Sequence, residues 1–276
     1  MVNELRVCNC AGFHDFKLEG IKWKEWFDYC LSFFTKHNLE PMRLSVHGIH
    51  YGDSVKTMTF KGGLRKLQKF SFEGIHSLSL MVMDDKEDYT TNFIIDVSIY
   101  PDLKNHYESN AYFCIDATLE PFTQNHFEDI TTKFFDYSKP KYGYYYSRML
   151  KHEPDMYPVG GNVYHNNNTD MSRCNLWKYQ SFRYDRGVYK GPYKTGDMRD
   201  IYKLNFLSPK HLARDIRPIE QQSSGDPLIL EAWINAAPDR GELKELRPGF
   251  WSWYVPDELT ELVRNSLLPS SIILTA

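Results

Sequence analysis

The sequence predicts an α+β fold in which a mostly antiparallel sheet is flanked by helices. A long Tyr/Asn-rich excursion and a smaller C-terminal α+β unit complete this prediction. Two observations indicate the class. Helix and strand patterns follow one another with three strands in a row, which favours an antiparallel or mixed sheet covered by helices. The 276 residues are 42% hydrophobic and 15% aromatic, which is enough for a full core.

The first helix is predicted over residues 21–37, because apolar residues recur there at steps of three and four. The stripe consists of Trp23, Trp26, Phe27, Cys30, Leu31 and Phe34. Pro41 ends this segment, and an extended run follows over residues 42–49. A second, shorter helix is expected over residues 64–70, after Gly62-Gly63.

Three strands are predicted next, over residues 77–83, 92–100 and 111–119, since each is rich in β-branched and aromatic residues between turn-formers. An acidic hairpin loop, Asp84–Asp88, joins the first two. A helix over residues 124–137 follows, with Thr123 as its N-cap. Residues 141–149 then form a strand that places Tyr142, Tyr144 and Tyr146 on one face.

Tyrosine is concentrated in the middle of the chain, where twelve of the nineteen tyrosines lie between Tyr137 and Tyr202. From residue 154 to residue 196 the many asparagines and glycines predict a long loop-rich excursion. Tyrosine joins a large apolar ring to a polar tip, so it suits half-buried surfaces that face solvent or a partner.

Regular structure is expected again from residue 197. Ser208-Pro209 is a helix start, with Ser at the N-cap and Pro at the first helical position. Asp226 is a candidate cap for a helix over residues 228–237. A hairpin around Pro248-Gly249, a helix from Pro256 to about residue 267 and a last strand over residues 272–274 follow. The predicted division is residues 1–196 and 197–276, with a single domain as the alternative.

Composition excludes several partners and compartments. The formal net charge of −3 leaves no overall electrostatic footprint for nucleic acid. The N-terminus lacks the apolar run of a signal peptide, and no apolar segment is long enough to cross a bilayer. Five scattered cysteines predict free thiols in a reducing cytoplasm. No cofactor is expected, and the oligomeric state stays open.

The candidate chemical clusters have structural explanations that we favour. Cys8 and Cys10 with His14 have no second ligand pair, so a terminal strand with free cysteines is preferred to a metal site. His47 and His50 lack a metal-binding frame and are interpreted as loop histidines. The sequence contains no Gly-x-Ser-x-Gly elbow, Walker A loop or dinucleotide fingerprint.

One basic group stands out at Lys61, Arg65, Lys66 and Lys69. It is compatible with a face that binds phosphate or acidic groups. At this net charge a solvated helix surface is the preferred interpretation.

The predicted interface combines the aromatic stretch with the acidic loop. Interfaces are enriched in Tyr, Trp and Arg, and acidic residues beside them complement a basic partner. Simple packing of the rings on the sheet, with no partner, is the slightly preferred explanation for the tyrosines themselves. The candidate interface residues are Tyr144, Tyr145, Tyr146, Trp177, Arg183, Tyr184, Asp84, Asp85, Glu87 and Asp88.

Four segments carry a family resemblance. They are residues 141–144 (KYGY), 154–160 (PDMYPVG), 198–212 (MRDIYKLNFLSPKHL) and 251–256 (WSWYVP), with Gly241-Glu242-Leu243 before the last. Together they resemble uncharacterised bacterial proteins similar to the immunity proteins of polymorphic toxin systems. The resemblance covers the C-terminal half and brings no catalytic residues with it. It implies a protein that binds a cognate toxin and blocks it without chemistry.

The sequence therefore predicts a cytoplasmic immunity protein that neutralises a toxin by stoichiometric binding. Two alternatives stay open. One is a hydrolase or nuclease-like enzyme whose site is assembled from scattered residues. The other is a scaffold or oligomerisation module.

Overall fold

The computed structural model describes residues 6–17, 21–83, 93–100, 109–158, 172–177, 184–185, 188–189, 192–219 and 228–275. The chain divides into two compact units. The first contains residues 1–140 and 147–161, and the second contains residues 141–146 and 162–276. The predicted α+β class is confirmed, because antiparallel strands and helices occur in both units. The predicted division at residue 196 stays a prediction.

The sheet of the first unit has the strand order β1-β6-β5-β4-β2-β3, and every pair is antiparallel. Its strands are β1 (Val7–His14), β2 (Arg43–Gly48), β3 (Gly52–Thr59), β4 (Ile75–Met83), β5 (Phe93–Tyr100) and β6 (Asn110–Asp116). Burial alternates along β2, where Leu44 and Val46 point into the core opposite Leu80 and Leu78 of β4. One face of the sheet is therefore apolar.

Helices cover this apolar face. They are α1 (Trp23–Lys36), α2 (Phe60–Lys69) and α3 (Gln124–Ser138). The stripe predicted for α1 is confirmed, with one difference. Leu31 is half-buried, and Phe33 takes its place by packing edge-on against Phe113 of β6. Thr123 caps α3 as predicted, since its hydroxyl accepts a hydrogen bond from the backbone N–H of His126 at 3.3 Å.

Helix α2 begins earlier than the sequence predicts. The Gly62-Gly63 pair reads as a break, yet it lies in the first turn of the helix, which Thr59 caps. A Cβ atom at Gly63 would lie 2.6 Å from Cδ2 of Leu44, so glycine allows the helix to approach β2 closely. Strand β3, which precedes the helix, was not predicted.

The sheet of the second unit has the strand order β13-β14-β10-β7, again antiparallel. Its strands are the first part of β7 (Tyr142–Met149), then β10 (Leu204–Leu207), β13 (Glu242–Arg247) and β14 (Phe250–Tyr254). Two short ribbons pair β8 (Tyr184–Asp185) with β9 (Val188–Tyr189), and β11 (Asp215–Ile216) with β12 (Leu228–Ile229). The helices are α4 (172–177), α5 (Pro192–Thr195), α6 (Pro209–Leu212), α7 (Leu230–Asn235) and α8 (Asp257–Leu267).

Several C-terminal predictions are confirmed. Helix α6 starts after Ser208, the hairpin turns at Pro248-Gly249, and α8 follows Pro256. The helix predicted over residues 228–237 was wrong at its start, because Leu228 first pairs with Ile216 in a short ribbon. Asp226 lies outside the described residues. The expected last strand is reduced to a single parallel bridge between Met198 and Ile273.

Among the residues that the structure describes, no helix is long and apolar enough to span a bilayer.

Replacing Gly63 with Val tests the close approach of α2 to β2. We expect the free energy of unfolding to fall by about 2 kcal/mol, since the new side chain overlaps Leu44 in a packed core. Chemical denaturation measures the change. The exposed Gln68→Ala in the same helix is the matched control and should shift stability by less than about 0.5 kcal/mol. Equal stability of both variants would contradict the packing described.

Candidate functional site

The first part of strand β7 contributes four buried tyrosines to the second unit. Tyr142 and Tyr144 are fully buried, and Tyr145 and Tyr146 are nearly so. The rings of Tyr142, Tyr144 and Tyr146 follow one another at 5.6 and 5.7 Å, which confirms that they share a face of the strand. These tyrosines form a continuous aromatic row inside the unit.

A buried cation, Arg199, lies at the centre of this row. Its Nη1 donates a hydrogen bond of 2.7 Å to the hydroxyl of Tyr144, and its Nη2 donates to Sγ of Cys174 at 3.6 Å. The guanidinium carbon lies 4.1 Å from the ring centroid of Trp177 and 5.6 Å from that of Tyr144. The cation is thus held by both hydrogen bonds and aromatic faces.

The surrounding rings are also tied to one another. The backbone N–H of Arg199 donates to the hydroxyl of Tyr142 at 3.1 Å, and Nε1 of Trp177 donates to the hydroxyl of Tyr193 at 2.7 Å. Tyr193 stacks on Tyr142 at 4.6 Å, and Tyr202 stacks on Tyr144 at 4.3 Å. We call this set the Arg199 cluster: Tyr142, Tyr144, Cys174, Trp177, Tyr193, Arg199 and Tyr202.

The next residue, Asp200, connects the cluster to the helices α4 and α8. Its carboxylate accepts a hydrogen bond of 2.9 Å from Nε of Arg264 on α8 and lies 3.8 Å from Nη1 of Arg173 on α4. Arg173 also pairs with Glu261 of α8 at 2.9 Å. The Arg264–Asp200 pair is buried, so removing one member would leave an uncompensated charge, whereas the exposed Arg173–Glu261 pair contributes little.

The outer side of α8 carries an exposed leucine and carboxylates that have partners. Leu262 is 53% exposed. Beside it Glu261 pairs with Arg173, and Asp257 at the start of the helix pairs with Lys203 at 2.7 Å. The helix also carries Glu258, which is exposed and pairs with no cation in the described part of the chain, so only part of its negative charge is neutralised.

The predicted interface residues have very different positions. Tyr144 and Trp177 are brought together on Arg199, and Tyr145 and Tyr146 are buried beside them, which leaves these four side chains little surface to offer a partner. Tyr184 belongs to β8. Asp84, Asp85, Glu87, Asp88 and Arg183 lie outside the described residues. The interface as a whole stays a prediction.

Sequence reasoning missed the residues that organise this region, Arg199 and Asp200. Both lie in the segment 198–212 that carries the family resemblance. A single Arg-Asp pair has no periodicity, and its burial follows only from contacts that are distant in sequence. The clustering of tyrosines was the usable signal.

A buried serine–histidine contact in the second unit resembles part of a catalytic arrangement. Nδ1 of His211 lies 2.9 Å from the hydroxyl of Ser208, and Nε2 lies 3.1 Å from the backbone carbonyl of Asp197. The ring stacks on Tyr142 at 5.3 Å, and burial lowers the pKa of His211 to about 3. The third group is the backbone carbonyl of Asp197 and not a carboxylate, and Ser208 and His211 form a capping box. The contact therefore caps the N-terminus of α6.

Titratable groups in the first unit are dispersed. Burial raises the pKa of Asp155 to about 6 and raises the pKa of the Cys8 thiol, which Cys114 and Asp116 also raise. Cys8 and Cys10 lie in β1, as predicted, and Cys10 faces Cys114 across the strand pair. Within the described part of the chain, no group of three or more His, Cys, Asp or Glu side chains is placed to hold a metal ion.

Changing Tyr144 to Phe tests the hydrogen bond to the buried cation. We expect a loss of about 2 kcal/mol in the free energy of unfolding, because the bond involves a charged group that has no access to water. Denaturant titration measures it. Tyr254→Phe, at a half-buried position of β14, is the control and should change stability by less than about 0.5 kcal/mol. Similar values for both would argue against the assigned role.

A second prediction concerns pH. The pKa of His211 is about 3 in the folded chain and about 6.5 when unfolded, so the unfolded state binds the proton and stability falls as pH drops below 6.5. Between pH 7 and pH 5 the natural chain should lose about 2 kcal/mol more than a His211→Gln variant. Denaturation at both values checks this. Parallel pH profiles would exclude a buried neutral His211.

Comparison with known proteins shows a likeness to solved structures. No protein-family model and no curated protein matches this chain. A type VI secretion system (T6SS) protein from Pseudomonas aeruginosa has a similar structure, with a TM-score of 0.57 and 12% sequence identity. The match covers 96% of this chain and 73% of the Pseudomonas chain. At this identity the likeness shows a shared fold.

Proposed function

We propose that this chain is a cytoplasmic immunity protein that binds a cognate bacterial toxin and neutralises it by stoichiometric contact. The observation that carries the proposal is the fold shared with a T6SS protein over 96% of the chain. The family resemblance of four C-terminal segments supports the same context from the sequence. One of these segments contains both Arg199 and Asp200.

The physical character of the second unit suits inhibition by binding. A neutralising protein gains affinity when its surface is already in the bound conformation, because little conformational entropy is then lost. Arg199 is fixed by Tyr144, Cys174 and Trp177, and Asp200 ties two helices to the same region. The unit therefore presents its surface on a rigid core.

Under this proposal the predicted interface residues have two roles. The buried side chains Tyr144, Tyr145, Tyr146 and Trp177 support the surface from within. Tyr184, Arg183 and the acidic residues Asp84, Asp85, Glu87 and Asp88 remain candidates for direct contact, and the acidic loop would steer a basic region of the toxin.

Capture from the source cell tests the function. The tagged full chain should recover the product of a neighbouring gene in a one-to-one complex. Expression of that product alone should arrest growth, and co-expression of the full chain should restore it, because binding blocks the toxin without turnover. Size-exclusion chromatography and a growth assay measure the two effects.

Two results would overturn the proposal. Turnover of a substrate by the purified chain, with no effect on growth arrest, would favour the enzyme alternative. Self-assembly without any bound neighbour product would favour a scaffold.

A further inference from the structure

The turn between β2 and β3 displays an apolar side chain in the first unit. Ile49 is 72% exposed, the largest value among the exposed large hydrophobic residues of the described chain. The turn is fixed from both sides, since the N–H of Ile49 donates to the carbonyl of Gly74 at 2.8 Å and that of Tyr51 donates to Gly48 at 2.9 Å. Ile49 is therefore held out on a rigid support.

Helix α2 places an aromatic ring and cations next to this turn. His50 stacks on Phe70 with ring centroids 5.0 Å apart, and Nζ of Lys69 lies 5.2 Å from the Phe70 ring centroid. Nζ of Lys66 donates to the carbonyl of Tyr51 at 2.9 Å. We call this surface the basic tip: Ile49, His50, Lys66, Lys69 and Phe70, extended along α2 by Lys61 and Arg65.

None of the four cations of α2 pairs with a carboxylate in the described part of the chain. Lys66 bonds a backbone carbonyl, Arg65 donates weakly to the carbonyl of Lys61, and Lys69 lies over a ring. The outer side of α8 differs, because its Asp257 and Glu261 pair with Lys203 and Arg173. The positive charge of the basic tip remains available to a partner.

Helix stability explains only part of this pattern, because Lys66 and Lys69 stand in the last turn of α2, where cations favour the macrodipole. A cation at the start of a helix opposes the macrodipole, yet Lys61 stands in the first turn of α2 and that turn has no acidic residue. Residues 43–76 carry six lysines and arginines and two carboxylates, a formal net charge of +4, whereas the whole chain has −3. Positive charge is concentrated in this segment.

We propose that the basic tip is a docking surface for an acidic patch on a partner protein, with Ile49 as the apolar anchor. This rests on the proposed function, because the expected partner is the toxin. An exposed apolar residue beside a group of cations is compatible with an interface in which an apolar contact supplies affinity and neighbouring charges supply steering.

A protein fits these observations better than a nucleic acid does. Phosphate contacts need cations alone, whereas Ile49 adds an apolar group that a phosphate backbone leaves in water.

The test compares four forms of the full chain: unmodified, Ile49→Asp, Arg65→Glu/Lys69→Glu, and Leu262→Asp. Leu262 is the matched control, an exposed leucine in the second unit. All changed positions are exposed, so thermal denaturation should give nearly equal midpoints. The probes are the protein captured in the previous experiment, poly-L-glutamate on a resin, and a labelled DNA duplex.

We expect Ile49→Asp to weaken binding of the captured protein by about 30-fold and Leu262→Asp to leave it within about threefold. The double charge reversal should slow association and flatten its salt dependence. It should also abolish retention on poly-L-glutamate, a result that does not need the toxin.

Three outcomes would overturn the proposal. Equal binding by Ile49→Asp and the unmodified chain would place the contact elsewhere, even with the toxin captured. If the double charge-reversal variant is retained on poly-L-glutamate as well as the unmodified chain, the cations of the basic tip do not recognise acidic groups. Binding of the duplex more tightly than the captured protein, lost in the same double variant, would assign the tip to nucleic acid. If no toxin is captured but the glutamate result holds, the proposed function fails and acidic recognition stands.

Discussion

The second unit depends on one constraint, which is that a permanently charged guanidinium must be satisfied without water. Arg199 is fully buried, and arginine does not lose its proton in a protein. The phenol of Tyr144, the thiol of Cys174 and the indole face of Trp177 contact it in place of water. These groups come from strand β7 and from α4, and Arg199 itself precedes β10, so forming this environment requires distant parts of the sequence to meet.

This requirement explains why tyrosine, rather than phenylalanine, occupies the positions next to Arg199. Each ring fills core volume and also supplies a hydroxyl at its tip, as Tyr142 and Tyr144 do toward Arg199 and Tyr193 does toward Trp177. The row that the sequence suggested as a sticky surface is therefore largely an interior lining. In the proposed function its contribution to binding is indirect, through the rigidity that it gives to the helices packed around it.

Prediction from sequence succeeded where local pattern and tertiary environment agree. The stripe of α1, the cap at Thr123 and the hairpin at Pro248-Gly249 follow from spacing and turn chemistry. Prediction failed where contacts between residues distant in sequence determine the local structure. Glycine occurs at position 63 inside a helix because a larger side chain there would overlap Leu44. Leu228 is extended because it pairs with Ile216. From the sequence, the site could be predicted only as a concentration of aromatic residues. Nothing in the sequence around Arg199 indicates that it is buried, and nothing around Ile49 indicates that it is exposed.

The burial of all five cysteines has a practical consequence. Cys8, Cys10, Cys30 and Cys114 are fully buried in the first unit, and Cys174 is nearly so in the second. A thiol shielded from water is protonated and unreactive, so a thiol reagent modifies it only when the surrounding structure opens. The labelling rates of these cysteines therefore report local opening of the structure around them. The labelling rate at Cys174 reports opening around the buried cation, and the rates at the other four report opening of the sheet and of α1.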